Sequence, residues 1–329
     1  MNNTLARAIK IIISSMKTKK DILDFYYCIA RPIKGFNSNY VNLVSSPVDP
    51  MEINMLPTKR SCRYGVLLQG PIIRSNDFTY NTIQLYRSLF PEAEIVLSTW
   101  EDQNVQGLEG DGIVILKNSY PPTQSYKNFN KMVYSIQTGL RYFENQGIEY
   151  ILRTRTDQRI QAENTIDYFF ELLHLFPLKK MIKNQRNRLI TLNLYTLKYV
   201  PYSISDMFQF GHIEDLKEYW DIDTSNVELS QRTGMFIIDD RDDCSSEIVL
   251  AARYAKAKQG NEYQYTLESY YRFLAERFIV LDYLSISLLW EKLILTPLSE
   301  NGKDSHQKIK LMNKDWLLLQ NDAIDYARL

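Results

Sequence analysis

Between residues 63 and 159, apolar runs of strand length alternate with segments of helical periodicity, and this alternation leaves few folds open. Tyr64-Gly65-Val66-Leu67-Leu68-Gln69 is a continuous apolar run closed by Gly70-Pro71, as expected of a buried strand with a sharp exit. Residues 76–90 carry Ile83, Tyr86 and Leu89 at helical spacing and stop at Pro91. Two further strands are predicted at 94–100 and 112–116, then a long helix over 124–146 ended by Gly147, then a strand from Glu149 and Tyr150. Parallel strands need long crossovers, and helices supply them. The predicted class is therefore α/β: a Rossmann-like, mainly parallel sheet flanked by helices. Right-handed crossovers bring the carboxyl ends of the strands to one edge, where open α/β sheets bind ligands.

What arrives at that edge is charged. The strand at 149–152 runs directly into Arg153-Thr154-Arg155-Thr156-Asp157-Gln158-Arg159. Arginines suit phosphate oxygens, and an aspartate suits a divalent cation or a sugar hydroxyl. The alternative is a solvated strand end with internal Arg–Asp pairing. No G-x-G-x-x-G opens the first helix and no G-x-x-x-x-G-K-[ST] occurs, so neither a dinucleotide fingerprint nor a P-loop is present. In the second half, 189–192 reads as a strand, 205–212 as a strand or strand–turn, and 235–238 runs into Asp239-Asp240-Arg241-Asp242-Asp243. A helix is predicted from Ser245, as cap, through Gln259, and another over 270–284.

Composition narrows the class further. The formal net charge is zero, which gives no support to bulk nucleic-acid binding. Cys28, Cys62 and Cys244 are scattered, arguing for a reduced, cytoplasmic setting and against a structural zinc. No apolar run is long enough to cross a bilayer. Residues 1 to 36 hold seven Lys or Arg against two Asp, which fits a basic amphipathic helix resting on the inner membrane surface, or an ordinary helix packed on the domain. The expected organisation is an N-terminal basic helix and linker over 1–60, a catalytic domain over 61–300 and a tail over 301–329, with helical additions at both ends.

Charged strand ends without a P-loop point to a phosphorylated ligand held by other means, as in a sugar-nucleotide transferase of the GT-A kind. Such an enzyme neutralises a departing diphosphate and, if it inverts the anomeric centre, takes a proton from the acceptor hydroxyl with a carboxylate. Leu67-Leu68-Gln69-Gly70-Pro71-Ile72, Tyr86-Arg87, Phe90-Pro91 and Ile95-Val96-Leu97-Ser98-Thr99-Trp100-Glu101 resemble the opening blocks of the WavE lipopolysaccharide-synthesis family. Leu152 to Arg159 and Ser205-Asp206-Met207-Phe208-Gln209-Phe210-Gly211 are similar to its central blocks, so the resemblance spans roughly 63 to 260. It implies a bacterial glycosyltransferase with a GT-A-like fold, a nucleotide-sugar donor and a lipopolysaccharide, capsular or lipid-linked glycan acceptor. The alternative is a catalytically silent glycan- or nucleotide-binding protein of polysaccharide assembly.

Within that reading Asp157 is the expected contact for a divalent cation (Mn or Mg), with Asp240 and Asp242 as the competing pair. Glu247 is the expected catalytic base and Asp206 the competing carboxylate or a sugar contact. Gln69, Gly70, Pro71, Thr99, Trp100 and Glu101 form the expected nucleotide floor, Trp100 as stacking face or as core. Arg153 and Arg155 are expected near the diphosphate, with Arg159 in support. Asn128 and Lys131, in the block that resembles the family's Asn-rich helix start, are expected donor contacts; where the resemblance leads to an Arg-Gln pair the chain has Lys131-Met132, and a lysine meets phosphate only as a point charge.

Overall fold

The computed structural model describes residues 62–110, 112–122, 128–182, 184–223, 236–238, 241–291 and 309–320, with 236–238 and 241–244 described as backbone only. All belong to one compact unit. The predicted N-terminal helix and linker, most of the tail, and Asp240 of the late acidic run lie outside the described residues.

A seven-stranded sheet organises the unit. Its strands are β1 (Tyr64–Gln69), β2 (Glu94–Trp100), β3 (Ile113–Asn118), β4 (Tyr150–Arg155), β6 (Leu189–Leu192), β7 (Gln209–His212) and β10 (Phe278–Leu281). Their spatial order is β10-β6-β7-β4-β1-β2-β3, with β7 antiparallel to both neighbours and every other pairing parallel. Two short ribbons accompany it: β5 (Gln158–Arg159) with β11 (Leu289–Trp290), and β8 (Phe236–Ile238) with β9 (Arg241–Cys244). The helices are α1 (Phe78–Leu89), α2 (Phe129–Asn145), α3 (Thr165–Leu175), α4 (Ile213–Tyr219), α5 (Ser246–Gln259), α6 (Leu267–Arg277) and α7 (Asn313–Leu319). The α/β, mainly parallel class expected from the sequence is what the chain adopts.

The central strands are apolar on both faces because helices cover both. β1 is buried along its whole length, and Val66, Leu67 and Leu68 are fully inaccessible. On one face α2 lies so close that a Cβ on Gly139 would fall 2.4 Å from Leu67 Cδ1, and one on Gly65 would fall 2.3 Å from Phe143 Cε1. Gly139→Ala ought to gain up to about 1 kcal/mol of helix propensity, yet overpacking costs typically 1–3 kcal/mol. The clash wins, so both Gly139→Ala and Gly65→Ala are expected to lower the urea midpoint. A raised midpoint for Gly139→Ala would show that α2 can retreat from the sheet.

Several boundaries differ from expectation: β7 starts at Gln209 within the predicted 205–212, and β3 covers Ile113–Asn118 in place of 112–116. The helix predicted over 270–284 ends at Arg277, and Phe278–Leu281 continues as the fully buried edge strand β10. Phe-Ile-Val-Leu has apolar side chains suited to either state; pairing with β6 and coverage by Asn313, whose side-chain amide donates to Val280 O at 2.7 Å, decide for strand. Ser245 occupies the N-cap of α5 but its side chain makes no capping hydrogen bond.

Candidate functional site

The chain leaves β1 for β2 and β3 on one side and returns to β4 on the other, so the sheet's topological switch point lies between β1 and β4. Gln69 and Arg155 are register partners there, as are Leu67 and Arg153 one pleat earlier. Gln69, Arg153 and Arg155 consequently share one face. Gly70 closes the end of β1 at φ +132°, and a Cβ on it would stand 2.7 Å from Thr156 Oγ1. That hydroxyl donates to Pro71 O at 2.6 Å, and Thr156 N donates to Gln69 O at 3.1 Å. Only glycine permits this close approach of the two strand ends.

Arg153 is not a solvated strand-end charge. It is fully buried, with Nη1 donating to Asp206 O, Nη2 donating to Gln69 Oε1 at 3.1 Å, and the guanidinium lying 5.0 Å from the Trp220 ring. Burial pushes its pKa down to about 9, against the opposing attraction of Asp206. Arg159 is also inward: Nε donates to Thr82 Oγ1 and Nη2 to Phe78 O, both at 2.9 Å, pinning α1 to the strand end.

Because β7 runs backwards, its amino end lies at the ligand edge, and Asp206 just before it arrives there. Asp206 is 4% exposed. Burial, and then the charge of Glu247, push its carboxyl up to about 7, while Arg153, Arg155 and a hydrogen bond from Ser246 oppose the shift. Glu247, in the first turn of α5, is half-buried, and Ser246 Oγ lies 3.2 Å from its Oε2. The single Ser246 proton can thus go to either carboxyl, one at a time. Both candidate bases meet at this point, and a pair whose charges oppose each other beside two arginines is a means of holding a proton near neutrality.

Arg155 and Asp157 form a fork. Nε donates to Oδ1 at 2.8 Å and Nη2 to Oδ2 at 2.9 Å, and Trp290 Nε1 adds a third bond to Oδ2 at 3.2 Å. Burial works to lower the Arg155 pKa, but the bonds and charge of Asp157, with Asp206 and Glu247 beyond, carry it upward overall. A carboxylate offers about four lone-pair sites. Three donors and an adjacent cation leave Asp157 a poor ligand for a divalent ion in this arrangement. Among the described residues no three His, Cys, Asp or Glu side chains are grouped to hold one. The side chain of Asp242, like all of Asp240, is outside the description.

The remaining predicted residues form a neighbouring group at the ends of β2 and β3. Thr99 is buried and its Oγ1 makes no hydrogen bond. Trp100 is core and stacking face at once: 5% exposed, it stacks on Tyr120 at 5.0 Å and 18°, and Lys131 Nζ lies 4.2 Å from the Tyr120 ring. Glu101 is exposed and accepts from Ser119 Oγ at 2.8 Å. Asn128 is exposed at the N-cap of α2 with φ 62°. Three residues of the site escaped sequence reasoning. Trp220, Ser246 and Trp290 lie at a helix end, in a first turn and in a two-residue strand, where no periodicity marks them; only the scarcity of tryptophan could have drawn attention.

The family described as WavE lipopolysaccharide synthesis matches residues 64–324. Compared by sequence with curated proteins, the chain matches none. Among solved structures it is similar to a glycosyltransferase involved in the glycosylation of the major capsid of PBCV-1, at 14% identity and TM-score 0.29 over 48% of this chain and 65% of that one. It is also similar to a mannose-1-phosphate geranyltransferase from Thermus thermophilus, at 12% identity and TM-score 0.29 over 42% and 46%. A cytidylyltransferase from Leptospira borgpetersenii serovar Hardjo-bovis gives 11% identity and TM-score 0.34 over 72% and 95%. The chain thus spans less than two thirds of the length of the first two.

Proposed function

Because the chain belongs to the WavE lipopolysaccharide synthesis family, we propose that it is a glycosyltransferase moving a sugar from a nucleotide-sugar donor to a lipopolysaccharide or other lipid-linked glycan. The observation that carries this reading is the meeting of Asp206 and Glu247 with Arg153 and Arg155 at the switch point of the sheet. An acceptor hydroxyl gives its proton to Glu247 while its oxygen bonds to the anomeric carbon. The bond from that carbon to the diphosphate breaks, and the diphosphate leaves with the electron pair beside Arg155. Such a displacement inverts the anomeric centre. Asp206, its carboxyl pushed up by burial and by the charge of Glu247, stands beside this base, and Trp100 with Tyr120 offers the nucleotide an aromatic wall.

The acceptor is lipid-linked, so the reaction is placed at the cytoplasmic face of the inner membrane, with the basic residues of 1–36 drawing the protein to anionic lipid. No helix among the described residues is long and apolar enough to cross a membrane.

Calorimetry of the full chain with UDP, CDP and GDP is expected to show saturable binding of one of them, and a screen of nucleotide sugars is expected to show slow hydrolysis of one sharing that base. Lack of binding to all three would remove the transferase reading in favour of a glycan-binding role.

A further inference from the structure

We infer that the diphosphate is held here by an arginine in place of a divalent cation, with Asp157 and Trp290 as positioning residues for Arg155. The inference rests on the proposed glycosyl transfer and specifies how its leaving group is bound.

Asp157 is committed before any ligand arrives. Both carboxylate oxygens accept from Arg155, at 2.8 and 2.9 Å, and Oδ2 accepts also from Trp290. A magnesium ion sits about 2.0–2.1 Å from each of its ligand oxygens and demands near-octahedral geometry. It would have to evict a guanidinium that is bound twice and repels it. Two residues before Asp157, where a second carboxylate would assist a cation, the chain has Arg155 itself.

Arg155 is built to take the cation's place. It ends β4 at the switch point, and its side chain remains 26% exposed while that of Asp157 is 5% exposed. The Nε edge is engaged, so Nη1 and the second hydrogen of Nη2 remain to donate. A planar guanidinium matches phosphate oxygens in pairs, which an ammonium does not. Its orientation is fixed from behind: Trp290 belongs to β11, β11 pairs with β5, and Glu291 N donates to Asp157 O at 3.0 Å. Arg153 cannot take this part, since Gln69, the Asp206 carbonyl and Trp220 enclose it.

The test titrates the full chain with the nucleoside diphosphate that binds it, in EDTA and in excess manganese or magnesium. The dissociation constant is expected to agree within about twofold in the three media. Arg155→Ala is expected to weaken binding about 10- to 100-fold, the loss of a charge-assisted pair, with Arg155→Lys recovering only part. Asp157→Asn and Trp290→Phe should weaken it less, and Asp157→Asn combined with Arg155→Ala should bind no worse than Arg155→Ala alone. Melting temperatures of each variant separate lost affinity from lost fold, and additive losses in the double variant would overturn the positioning roles. Binding that appears only with metal would overturn this inference and leave glycosyl transfer standing. No binding in any medium would overturn both.

Discussion

Asp206→Asn is expected to unfold at a higher temperature than the wild-type chain at pH 8, while losing most of its transferase activity. The stability half follows from linkage. The folded protein holds the Asp206 carboxyl up to about 7, from an ordinary value of 3.8, first by burial and then by the charge of Glu247. A group raised in this way contributes stability that is complete below about pH 4 and is lost as pH rises through about 7. At pH 8 the folded state therefore carries a buried charge that asparagine does not bring. A tenfold change in proton affinity corresponds to about 1.4 kcal/mol, and a new amide to satisfy takes back part of the gain. An increase on the order of 1–3 kcal/mol at pH 8, shrinking toward zero or reversing at pH 5, is the expected result from urea melts at both values. A variant less stable than wild type at pH 8 would show that the Asp206 charge is welcomed, not tolerated. The activity half follows from acid–base chemistry: Asp206 stands beside Glu247, the base that takes the acceptor proton, and disturbing a positioned base forfeits part of a factor of roughly 10²–10⁴ in rate. The wild-type kcat is expected to rise with pH through an apparent pKa near 7 that belongs to the carboxyl pair, and Asp206→Asn to lose that limb.

Arg153→Ala is expected to be the most destabilising single change in the site, at about 3–5 kcal/mol. It opens a cavity against Trp220 and removes the donor from Gln69 Oε1 and from the Asp206 carbonyl at once. Arg153→Met keeps most of the volume and avoids a cation whose pKa burial has pushed down to about 9, so its loss should be smaller, about 1–3 kcal/mol. The two variants separate packing from charge in urea melts. They also report on chemistry: without Arg153 the Asp206 carboxyl loses an attraction that opposes its upward shift, so the acid limb of Arg153→Met should move to higher pH. A limb that stays in place would mean that Arg153 acts only through packing.

The first half of the sheet is legible in the sequence because its strands are short apolar runs, β1 closed by Gly70-Pro71, and the crossovers from β1 to β2 and from β3 to β4 carry amphipathic helices. β2 falls at 94–100 as expected, and β4 extends three residues past its apolar part because Arg153 turns inward, which hydrophobicity cannot announce. Beyond Arg159 the signal weakens. α3 escapes the reading although five of its residues are buried, and Phe278–Leu281 passes for helix because its partner, β6, lies some ninety residues earlier. The candidate site divides in the same way. Gln69, Arg155 and Asp206 are marked by their strand ends, and Glu247 by its place in a first turn. The fork between Arg155 and Asp157 is one of two arrangements the same charges allow, and only its third donor, Trp290, shows why the pair is closed.

The reversed strand β7 also bears on the order in which the molecule is made. As synthesis proceeds, β1 to β4 can pair among themselves, leaving one edge of β4 open for β7. Arg153 emerges in that unit with half of its enclosure missing, since Gln69 precedes it but Asp206 and Trp220 come more than fifty residues later. The N-terminal half must then hold a cation on an unfinished surface until β7 inserts beside β4. A growing chain of which Arg153 has left the ribosome and Asp206 has not would display that surface.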